Sequence, residues 1–333
     1  MTQKPVAIVT GGAGFIGSHM VDLLLERGYR VRVIDNLSGG HQSNLAHHDT
    51  PDLECHWLDI RGLDPGNPLF ENCRYVFHFA GIGDIVPSIE RPVDYMDINV
   101  QGTVRVLECA RHAGVTKLVY AASSSCYGLA ATPTREDHPI APQYPYALSK
   151  YQGEQAAFHW HQVYGLPVNS VCIFNAYGTR VRTTGAYGAV FGVFFRQKLA
   201  GKPFTVVGDG TQRRDFIYAS DVARAFLAAA ETGATGERFN LGAGAPQSVN
   251  RLVELLGGEV VYVPKRPGEP DITFADTTKI RTTLGWHPTI SFDEGVARMV
   301  AQIDRWTDAP LWDPASIADA TQTWFRYLGP KDT

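Results

Sequence analysis

The sequence predicts an α/β fold, built as a doubly wound parallel sheet with a smaller α/β lobe attached. Three observations lead to this prediction. The first half of the chain alternates short β-branched runs with amphipathic stretches, a glycine-rich turn joins the first such pair, and the alternation becomes irregular after about residue 175. Alternating strands and helices favour a parallel sheet with right-handed crossovers, covered by helices on both faces.

The elements of the first half follow in chain order from their composition. Short apolar runs predict strands at "VAIVTGG", "YRVRVID", "YVFHFAG" and "KLVYAAS". Longer amphipathic segments predict helices at "IGSHMVDLLLERG", "NVQGTVRVLECARHAG" and "SKYQGEQAAFHWHQVYG". We therefore expect residues 1–175 to form the first domain and residues 176–333 to form mainly the lobe. The segment "GERFNLGAG" predicts a strand near residues 236–243 that returns to the main sheet.

The composition excludes several classes of function. With 333 residues, 19% of them charged, and a net charge of −4, the chain has no electrostatic reason to bind nucleic acid. Five widely spaced cysteines without a CxxC pair favour reduced thiols in a cytoplasm over a disulfide framework or a zinc site. The N-terminus leaves no room for a signal peptide, and no apolar run approaches about 18 residues, so we expect no membrane segment.

The first turn carries the pattern of a dinucleotide-binding loop. Gly11, Gly14 and Gly17 in "TGGAGFIGSH" lie between a predicted strand and a predicted helix. Glycines permit the tight turn and the close backbone approach, and the helix N-terminus offers amides to a pyrophosphate. Asp35 follows the next strand, where a carboxylate accepts hydrogen bonds from ribose hydroxyls and repels a 2′-phosphate. The sequence therefore predicts a Rossmann domain that binds NAD rather than NADP.

A tyrosine and a lysine in "YPYALSK" form a candidate catalytic pair. Tyr146 and Lys150 are four residues apart and share one face of the predicted helix. A tyrosine is a weak base near neutral pH because its ordinary pKa is about 10. A nearby ammonium and an oxidised nicotinamide both favour the phenolate. A YxxxK pair alone occurs by chance on helix surfaces, but beside a dinucleotide loop and the serines of "SSSCYG" it predicts acid–base chemistry.

Several strings together resemble the extended short-chain dehydrogenase/reductase family, and the UDP-hexose 4-epimerases in particular. They run almost end to end: "TGGAGFIGSH", "DNLSGG", "HFAG", "NVQGT", "SSSCYG", "YALSK", "FNAYGTR", "QRRDFIY" and "RPGEPDITFAD". The resemblance implies an NAD-dependent enzyme of nucleotide sugars with catalytic Ser123, Tyr146 and Lys150. It also implies cofactor contacts at Phe15, Ile16, Asn36, Asp59, Ile60, Ala80 and Asn99. Asp59 follows a strand in "WLDI", so an exposed strand-end aspartate is its alternative interpretation.

The string "SSSCYG" indicates which reaction of that family to expect. In the family, the serine or threonine at the position of Ser123 hydrogen-bonds the sugar O4. At the positions of Ser124 and Ser125, the 4,6-dehydratases of this family carry a pair that resembles Asp-Glu, and the decarboxylases tend to carry a glutamate. Neutral hydroxyls hold a sugar or relay a proton, but they do not replace a carboxylate pair. Cys126 lies one residue from the place of the cysteine in 3,5-epimerases, and we interpret it as part of the core.

Three residues match family positions that bind the substrate's pyrophosphate and nucleotide. Asn175, Arg214 and Arg266 supply an amide and two guanidiniums for two negative phosphates. Their alternative role is a lobe-stabilising ion pair with Asp215, Glu269 or Asp271.

Thr273 occupies a family position beside the sugar C2 substituent. Its small side chain favours tolerance of N-acetylhexosamines, although a β-branched threonine also fits a strand.

The remaining features concern metals and partners. His47, His48 and the "HWH" pair of His159 and His161 lack the spacing and carboxylates of a metal site, so we expect no metal. The helices "NVQGTVRVLECARHAG" and "YALSKYQGEQAAFHWHQVYG" correspond to the pair through which family members dimerise as a four-helix bundle. Phe158 and Trp160 serve either that interface or the core.

The leading hypothesis is an NAD-dependent 4-epimerase of a nucleotide sugar, UDP-glucose/galactose or the N-acetylhexosamine pair, working in the cytoplasm in polysaccharide biosynthesis. Tyr146 takes the O4 proton, the C4 hydride passes to NAD, and the planar 4-keto sugar turns over before the hydride returns. A dehydratase, decarboxylase or 3,5-epimerase of the same fold is the alternative, followed by a non-catalytic NAD-binding protein.

Overall fold

A computed structural model describes residues 4–184, 190–265 and 269–329. In these residues seven parallel strands form the central sheet, so the predicted doubly wound α/β fold is confirmed. The elements up to the sixth strand are β1 (Val6–Thr10), α1 (Phe15–Glu26), β2 (Arg30–Ile34), β3 (Leu53–His56), β4 (Cys73–His78), α2 (Ile85–Glu90), α3 (Pro92–Met96), α4 (Gly102–His112), β5 (Lys117–Ser123), α5 (Pro145–Tyr164) and β6 (Val168–Ile173). A π-helical turn, Asp97–Gln101, connects α3 to α4.

The rest of the chain builds a second layer of smaller elements and one more strand of the sheet. They are β7 (Asn175–Tyr177), α6 (Val190–Leu199), β8 (Phe204–Val207), β9 (Arg213–Arg214), β10 (Phe216–Tyr218), α7 (Ala219–Glu231), β11 (Glu237–Leu241), β12 (Gln247–Ser248), α8 (Val249–Leu256), β13 (Val260–Val263), α9 (Thr278–Leu284), α10 (Phe292–Val300), α11 (Pro314–Ala320) and α12 (Gln322–Leu328). Strand β11 lies within the segment expected to return, 236–243, and pairs in parallel with β6.

The strand order places a crevice at the centre of the sheet. The order is β11-β6-β5-β4-β1-β2-β3, so the chain winds outward from β1 through β2 and β3, and then from β4 in the opposite direction. Because the connections diverge on either side of β1 and β4, the carboxyl ends of these strands leave a gap in which open α/β sheets bind ligands. The glycine-rich turn after β1 lies at this gap.

The two faces of the sheet are buried under different helices. On β1, Val9 packs in the cluster that contains Met20 and Phe226 of α1 and α7, while its neighbour Ile8 packs in the cluster that contains Val106 and Ala157 of α4 and α5. Adjacent strand residues point to opposite faces, so a strand buried on both sides needs the continuous apolar run that β1 has.

The lobe has its own aromatic core. Phe191, Phe194, Phe195, Phe204 and Trp306 are each at most 5% exposed and pack in one cluster. Among the described residues, the two-stranded sheets β7 with β10 and β8 with β13 contribute residues to this cluster, and β9 pairs with β12 in a third. No helix in the described part of the chain has the length and apolar character that a bilayer span requires.

Candidate active site

A cavity of about 510 Å³ opens between the carboxyl ends of the sheet strands and the lobe. Ser123 at the end of β5 and Tyr146 near the start of α5 line it from the sheet side, and Phe194 and Phe216 line it from the lobe. A parallel sheet presents all of its carboxyl ends at one edge, so residues distant in sequence converge there. This cavity contains most of the residues expected to bind substrate.

The serine string forms a tight turn directly after β5. Ser123 caps a 3₁₀ turn over Ser124–Tyr127, and its Oγ accepts a hydrogen bond from the Ser125 amide at 3.3 Å. The hydroxyl oxygens of Ser123 and Ser125 lie 2.8 Å apart. Ser124 and Ser125 also line the cavity. Cys126 is buried in the core, in agreement with its interpretation from the sequence.

Tyr146 and Lys150 lie one turn apart on α5, and both titrate abnormally. Burial raises the pKa of Tyr146, and the Ser123 hydroxyl opposes that rise. Burial lowers the pKa of Lys150 to about 8, although the Glu154 carboxylate favours its charged form. The Lys150 ammonium lies 4.6 Å from the centre of the Tyr120 ring, whose hydroxyl donates to the Lys150 carbonyl at 3.0 Å.

Asn99 supports the site from behind the cavity. Its side-chain oxygen accepts from the Ile82 amide at 2.9 Å, and its amide nitrogen donates to the Ile82 carbonyl at 3.0 Å and to the Ser149 hydroxyl at 2.9 Å. These bonds join the loop after β4, the π-helical turn and α5. The side chain expected to contact the cofactor therefore holds together the three segments that surround Lys150.

The loop after β1 has the backbone that a pyrophosphate site requires. Gly11 adopts φ +70°, and a Cβ there would lie 2.8 Å from the Ala80 nitrogen. A Cβ on Gly17 would lie 2.1 Å from the Gly11 carbonyl oxygen, so only glycine allows α1 to start this close to β1. No side chain caps α1 at Gly14, and no acid lies in the first turn, which contains Phe15 and Ile16. This N-terminus suits an anionic ligand.

The carboxylates expected near the adenosine are held by nearby donors. Asp35 accepts hydrogen bonds from the amides of Ala13 at 3.0 Å and Leu37 at 2.7 Å, which fixes its carboxylate beside the glycine loop. A buried carboxylate positioned in this way has lone pairs left for ribose hydroxyls.

Asp59 belongs to a polar cluster with Asn36 and Arg61. It accepts from Asn36 at 3.0 Å and pairs with Arg61 at 2.8 Å, and the Arg61 hydrogen bonds hold its pKa well below the usual range. Asp59 thus has structural partners of its own, and its contact with the adenine stays a prediction. Its neighbour Ile60 is 5% exposed and packs in the core.

Two of the expected substrate residues contact each other in the cavity. The Thr273 hydroxyl donates to the Asn175 side-chain oxygen at 2.6 Å, and both residues line the cavity. Thr273 is therefore not only a small residue in a strand-like segment. Its hydroxyl fixes the orientation of the Asn175 amide.

Arg214 also lines the cavity, and its guanidinium forms an ion pair and a hydrogen bond within the chain. It pairs with Glu269 at 2.7 Å and donates to the Arg213 carbonyl at 2.9 Å. The ion pair that the sequence left open as an alternative is therefore formed with Glu269. Arg266, the other expected phosphate ligand, lies outside the described residues.

Sequence reasoning missed further residues that line the same cavity. Asp84, after β4, pairs with Arg182 of the segment after β7 at 2.6 Å. Tyr144 and Trp324 line the cavity with ring centres 6.2 Å apart. Trp324 comes from α12, so its proximity to the site depends on tertiary packing. One signal for these residues was available in the sequence, because Tyr144 stands two residues before Tyr146 in "YPYALSK".

The histidines require a correction of the argument against a metal. Asp22 of α1 lies between His47 and His48, with its Oδ1 3.0 Å and 2.7 Å from their Nε2 atoms, so the pair does have an accompanying carboxylate. The sequence could not show this because Asp22 is 25 residues away. Arg180 pairs with the same carboxylate and places a competing positive charge on it.

The two aromatic residues of α5 have different surroundings. Trp160 packs partly buried against the core and donates through Nε1 to Glu108 of α4 at 2.6 Å, so α4 and α5 are joined within one chain. Phe158 is half-buried.

Comparisons with known proteins identify the family of the chain. The profile of the NAD-dependent epimerase/dehydratase family matches residues 7–242. A putative UDP-glucose 4-epimerase of Methanocaldococcus jannaschii is 38% identical over 302 residues, which are 88% of this chain and 96% of that protein.

Two solved structures share the fold at similar sequence identity. The UDP-N-acetylglucosamine 4-epimerase of Methanobrevibacter ruminantium, solved with UDP-N-acetylmuramic acid, is 30% identical with a TM-score of 0.84, covering 91% of this chain and all of that one (100%). The UDP-glucuronic acid 4-epimerase of Bacillus cereus, solved with UDP-glucuronic acid and NAD, is 30% identical with a TM-score of 0.83, covering 90% and 99%.

Proposed function

Because the chain belongs to the NAD-dependent epimerase/dehydratase family, we propose that it is an NAD-dependent 4-epimerase of a UDP-linked hexose. One observation supports the reaction most directly. Ser123 and Tyr146 line the same cavity, and the Ser123 hydroxyl opposes the rise that burial causes in the pKa of Tyr146, while Ser124 and Ser125 supply hydroxyls where a dehydratase needs an acid and a base. Hydride transfer and one proton transfer at C4 need no further group.

In this proposal Tyr146 is the acid–base residue and Ser123 holds the sugar O4. The phenolate accepts the O4 proton as the C4 hydride leaves and returns it when the hydride comes back to the other face. The Ser123 hydroxyl donates to the phenolate, which stabilises the charged form. The cavity must also allow the planar 4-keto sugar to turn over, and its volume of about 510 Å³ accommodates a ligand of this size.

Lys150 adds positive charge beside the base. With a pKa near 8, it is charged at neutral pH, and an ammonium one helical turn from Tyr146 favours the phenolate. The glycine loop, the uncapped start of α1 and the fixed Asp35 carboxylate fit a dinucleotide without a 2′-phosphate. Bound NAD supplies the electrophilic carbon that takes the hydride and gives it back, so no net oxidation results.

The charges in the cavity argue against a dehydratase or decarboxylase. Two carboxylates line the described part of the cavity, Asp84 and Glu269, and each is paired with an arginine. A carboxylate in an ion pair is a weaker base than a free one because the pair stabilises its charged form. Neither is part of the serine turn beside Tyr146, where proton removal from C5 would need it.

For the substrate, we propose that Arg214, with Arg266, holds the pyrophosphate after Glu269 releases or shares its guanidinium. Thr273 bounds the sugar side of the cavity, and its hydroxyl donates to Asn175, the third residue of the phosphate and nucleotide site. Because the side chain of Thr273 is small, the N-acetylhexosamines fit this proposal as well as the simple hexoses.

The experiment that tests the function is a substrate panel. Purified protein is incubated with UDP-glucose, UDP-N-acetylglucosamine and UDP-glucuronate, and the products are separated and identified by NMR. C4 epimers support the proposal, whereas loss of water or of carbon dioxide identifies the dehydratase or decarboxylase. Conversion of none of these sugars by NAD-loaded protein contradicts it.

We further propose a cytoplasmic homodimer in which α4 and α5 of two copies form a four-helix bundle, serving polysaccharide synthesis. The five cysteines are free thiols, as expected of a reducing compartment. Leu148, Val163 and Tyr164 are large apolar residues that α5 exposes to solvent. Burying them against a second copy removes that surface from water.

A further inference from the structure

Three metal-ligating side chains meet at one point outside the substrate cavity. Asp22 of α1 lies between His47 and His48 of the segment after β2, and its Oδ1 is 3.0 Å and 2.7 Å from their Nε2 atoms. The three donor atoms all lie within 4.8 Å of one another. The two imidazole rings pack together with their centres 4.0 Å apart. Two adjacent residues thus present the same ring nitrogen to one carboxylate oxygen.

The spacing of these atoms is close to that of ligands around a single metal ion. Zn²⁺ binds imidazole nitrogen and carboxylate oxygen at about 2.0–2.1 Å. Two ligands at that distance from one ion are about 2.9 Å apart at a right angle and about 3.3 Å apart at the tetrahedral angle. The observed separations of 2.7 Å and 3.0 Å therefore need to change by no more than about 0.6 Å to hold the ion.

A metal ion replaces protons at this point. An ionised carboxylate only accepts hydrogen bonds, so in the metal-free chain each imidazole donates an Nε2 proton to Asp22. When the ion binds, the Nε2 proton of a neutral ring moves to Nδ1 and that of an imidazolium leaves to solvent, which frees both Nε2 lone pairs. The side chain of His47 is 52% exposed, so an ion reaches the site from solvent.

Arg180 acts on this site in two opposite ways. Its guanidinium pairs with the Asp22 Oδ2 and donates to Oδ1 at 3.2 Å, which fixes the orientation of the carboxylate, as hydrogen bonds to metal-binding carboxylates commonly do. Its positive charge also repels a cation. His19, the next histidine, is engaged through both ring nitrogens, with the Thr179 carbonyl and Arg180, each at 3.0 Å. We therefore expect three protein ligands and an ion that exchanges with solvent.

The segment that carries the two histidines also supports the glycine-rich loop. The His41 amide donates to the Ala13 carbonyl at 3.0 Å, and the Asn44 side chain donates to the same carbonyl at 2.9 Å. Both residues lie between β2 and β3, as the two histidines do. An ion bound at this site therefore ties the segment that holds the loop to the helix that follows the loop.

We propose that Asp22, His47 and His48 bind a divalent transition-metal ion of the Zn²⁺ type, which clamps the segment after β2 to α1. Two imidazoles and one carboxylate suit Zn²⁺, whereas Mg²⁺ and Ca²⁺ prefer oxygen ligands alone. Three protein ligands leave a position for water. The three residues lie outside the substrate cavity, so this inference does not rest on the proposed function.

The test measures metal binding directly. Full-length, NAD-loaded protein without a histidine tag is stripped of metal with a chelator and titrated calorimetrically with Zn²⁺, and Mg²⁺ serves as the negative probe. We expect one Zn²⁺ per chain and no binding of Mg²⁺. His47→Ala and His48→Ala should each weaken Zn²⁺ binding by at least about 100-fold, since loss of a supporting hydrogen bond alone costs about 10- to 100-fold. His159→Ala, at an exposed histidine of α5, is the matched control and should keep the wild-type affinity.

Asp22→Asn tests the carboxylate, because it keeps the shape of the side chain and removes its charge. It should weaken Zn²⁺ binding as the histidine variants do, and circular dichroism checks that it folds without the full ion pair to Arg180. Should it fail to fold, the two histidine variants still decide the proposal, because His47 is half exposed and neither histidine is an anchor of the core.

Thermal unfolding tests the clamp. At a hundredfold excess over its dissociation constant, Zn²⁺ should raise the Tm of the wild type by about 4 °C and leave that of His47→Ala unchanged. A Tm that Zn²⁺ does not raise overturns the clamp. Wild-type protein that binds no Zn²⁺, or Zn²⁺ binding that survives in both histidine variants, overturns the site, whatever the protein does with UDP-sugars.

Discussion

At the scale of single residues, the site buries its proposed base, Tyr146, which disfavours the charged phenolate, and places beside it groups that favour the phenolate. Burial raises the pKa of Tyr146, whereas the Ser123 hydroxyl and the nearby Lys150 ammonium favour the phenolate. Such opposing effects are usual where a catalytic pKa must lie near the working pH. Three predictions concern individual side chains.

Tyr146→Phe should lower turnover by at least about 10²-fold, the usual scale of acid–base catalysis, because it removes the proton acceptor and keeps the ring. NAD and UDP-sugar binding should survive, since neither depends on the proton. Steady-state kinetics and calorimetric titration measure the two. Near-normal turnover in this variant would mean that another group is the base.

Lys150→Met should stabilise the fold at pH 7 while it impairs turnover. The pKa of Lys150 is lowered to about 8 in the folded chain, so folding at pH 7 includes the cost of burying a charge. Removing that charge should raise the free energy of unfolding by about 1–3 kcal/mol.

The pH dependence provides the control for Lys150→Met. Between about pH 8 and 10.5 the unfolded wild type binds more protons at this group than the folded one does, so the wild type gains stability as pH rises. The advantage of the variant should therefore shrink across this window. Urea unfolding at pH 7 and 9.5 measures it, and a constant difference would contradict the lowered pKa.

Thr273→Tyr should restrict the choice of sugar. A tyrosine would fill the space beside the C2 substituent, so kcat/KM for UDP-N-acetylglucosamine should drop by about 10- to 100-fold, with UDP-glucose much less affected. Thr273→Val keeps the size and removes the hydrogen bond to Asn175, and it separates steric exclusion from loss of that bond. Equal losses for both sugars in Thr273→Tyr would show that this residue does not select the substrate.

At the scale of elements, α5 connects the catalytic residues to the core. Two turns beyond Tyr146, the buried Glu154 accepts from Ser170 of β6 at 2.6 Å and from Arg238 of β11 at 2.9 Å. At Gly153 a Cβ would lie 2.4 Å from the Tyr120 hydroxyl, so the helix approaches β5 closely. These contacts fix the distance of Tyr146 from the sheet edge.

Arg238→Met should lower the free energy of unfolding by about 3–5 kcal/mol, because it leaves the Glu154 carboxylate buried without its cation. Replacing both residues by methionine should cost less than the single change. The matched control is Arg298→Met, whose pair with Glu294 is about half exposed and should contribute no more than about 1 kcal/mol. Chemical denaturation measures all three variants. A double variant no more stable than Arg238→Met would mean that the charge is not the cause.

At the scale of the whole molecule, the proposed dimer has a direct test. Light scattering should give twice the 36.5 kDa of the chain. Gln152→Glu with Gln155→Glu adds negative charges to the exposed face of α5, and across a two-fold axis these repel, so monomers should appear. The same charge change at the exposed Gln302 and Gln322 should leave the dimer intact. Dimers that resist the α5 changes would place the interface elsewhere.

Much of the site was predictable because its signals are local. The glycine loop, the strand-end Asp35, and the spacing of Tyr146 and Lys150 each reflect the backbone geometry of one element, and they arise from neighbouring residues. Convergence of Ser123 and Tyr146 followed from the parallel sheet, which brings strand ends to one edge. The sequence also suggested Asn175 and Thr273 as substrate residues, but not that one hydrogen-bonds the other.

The sequence by itself determined the doubly wound sheet, the dinucleotide loop and the candidate acid–base pair. Only the tertiary structure decided which side chains complete the cavity: Trp324 behind Tyr144, Arg182 on Asp84, Glu269 on Arg214, and Asp22 between two histidines. The physical reason is the separation along the chain of the residues that interact. Strand alternation, helical periodicity and glycine turns depend on a few adjacent residues, whereas ring packing and ion pairing depend on where distant segments meet, and no local pattern records that.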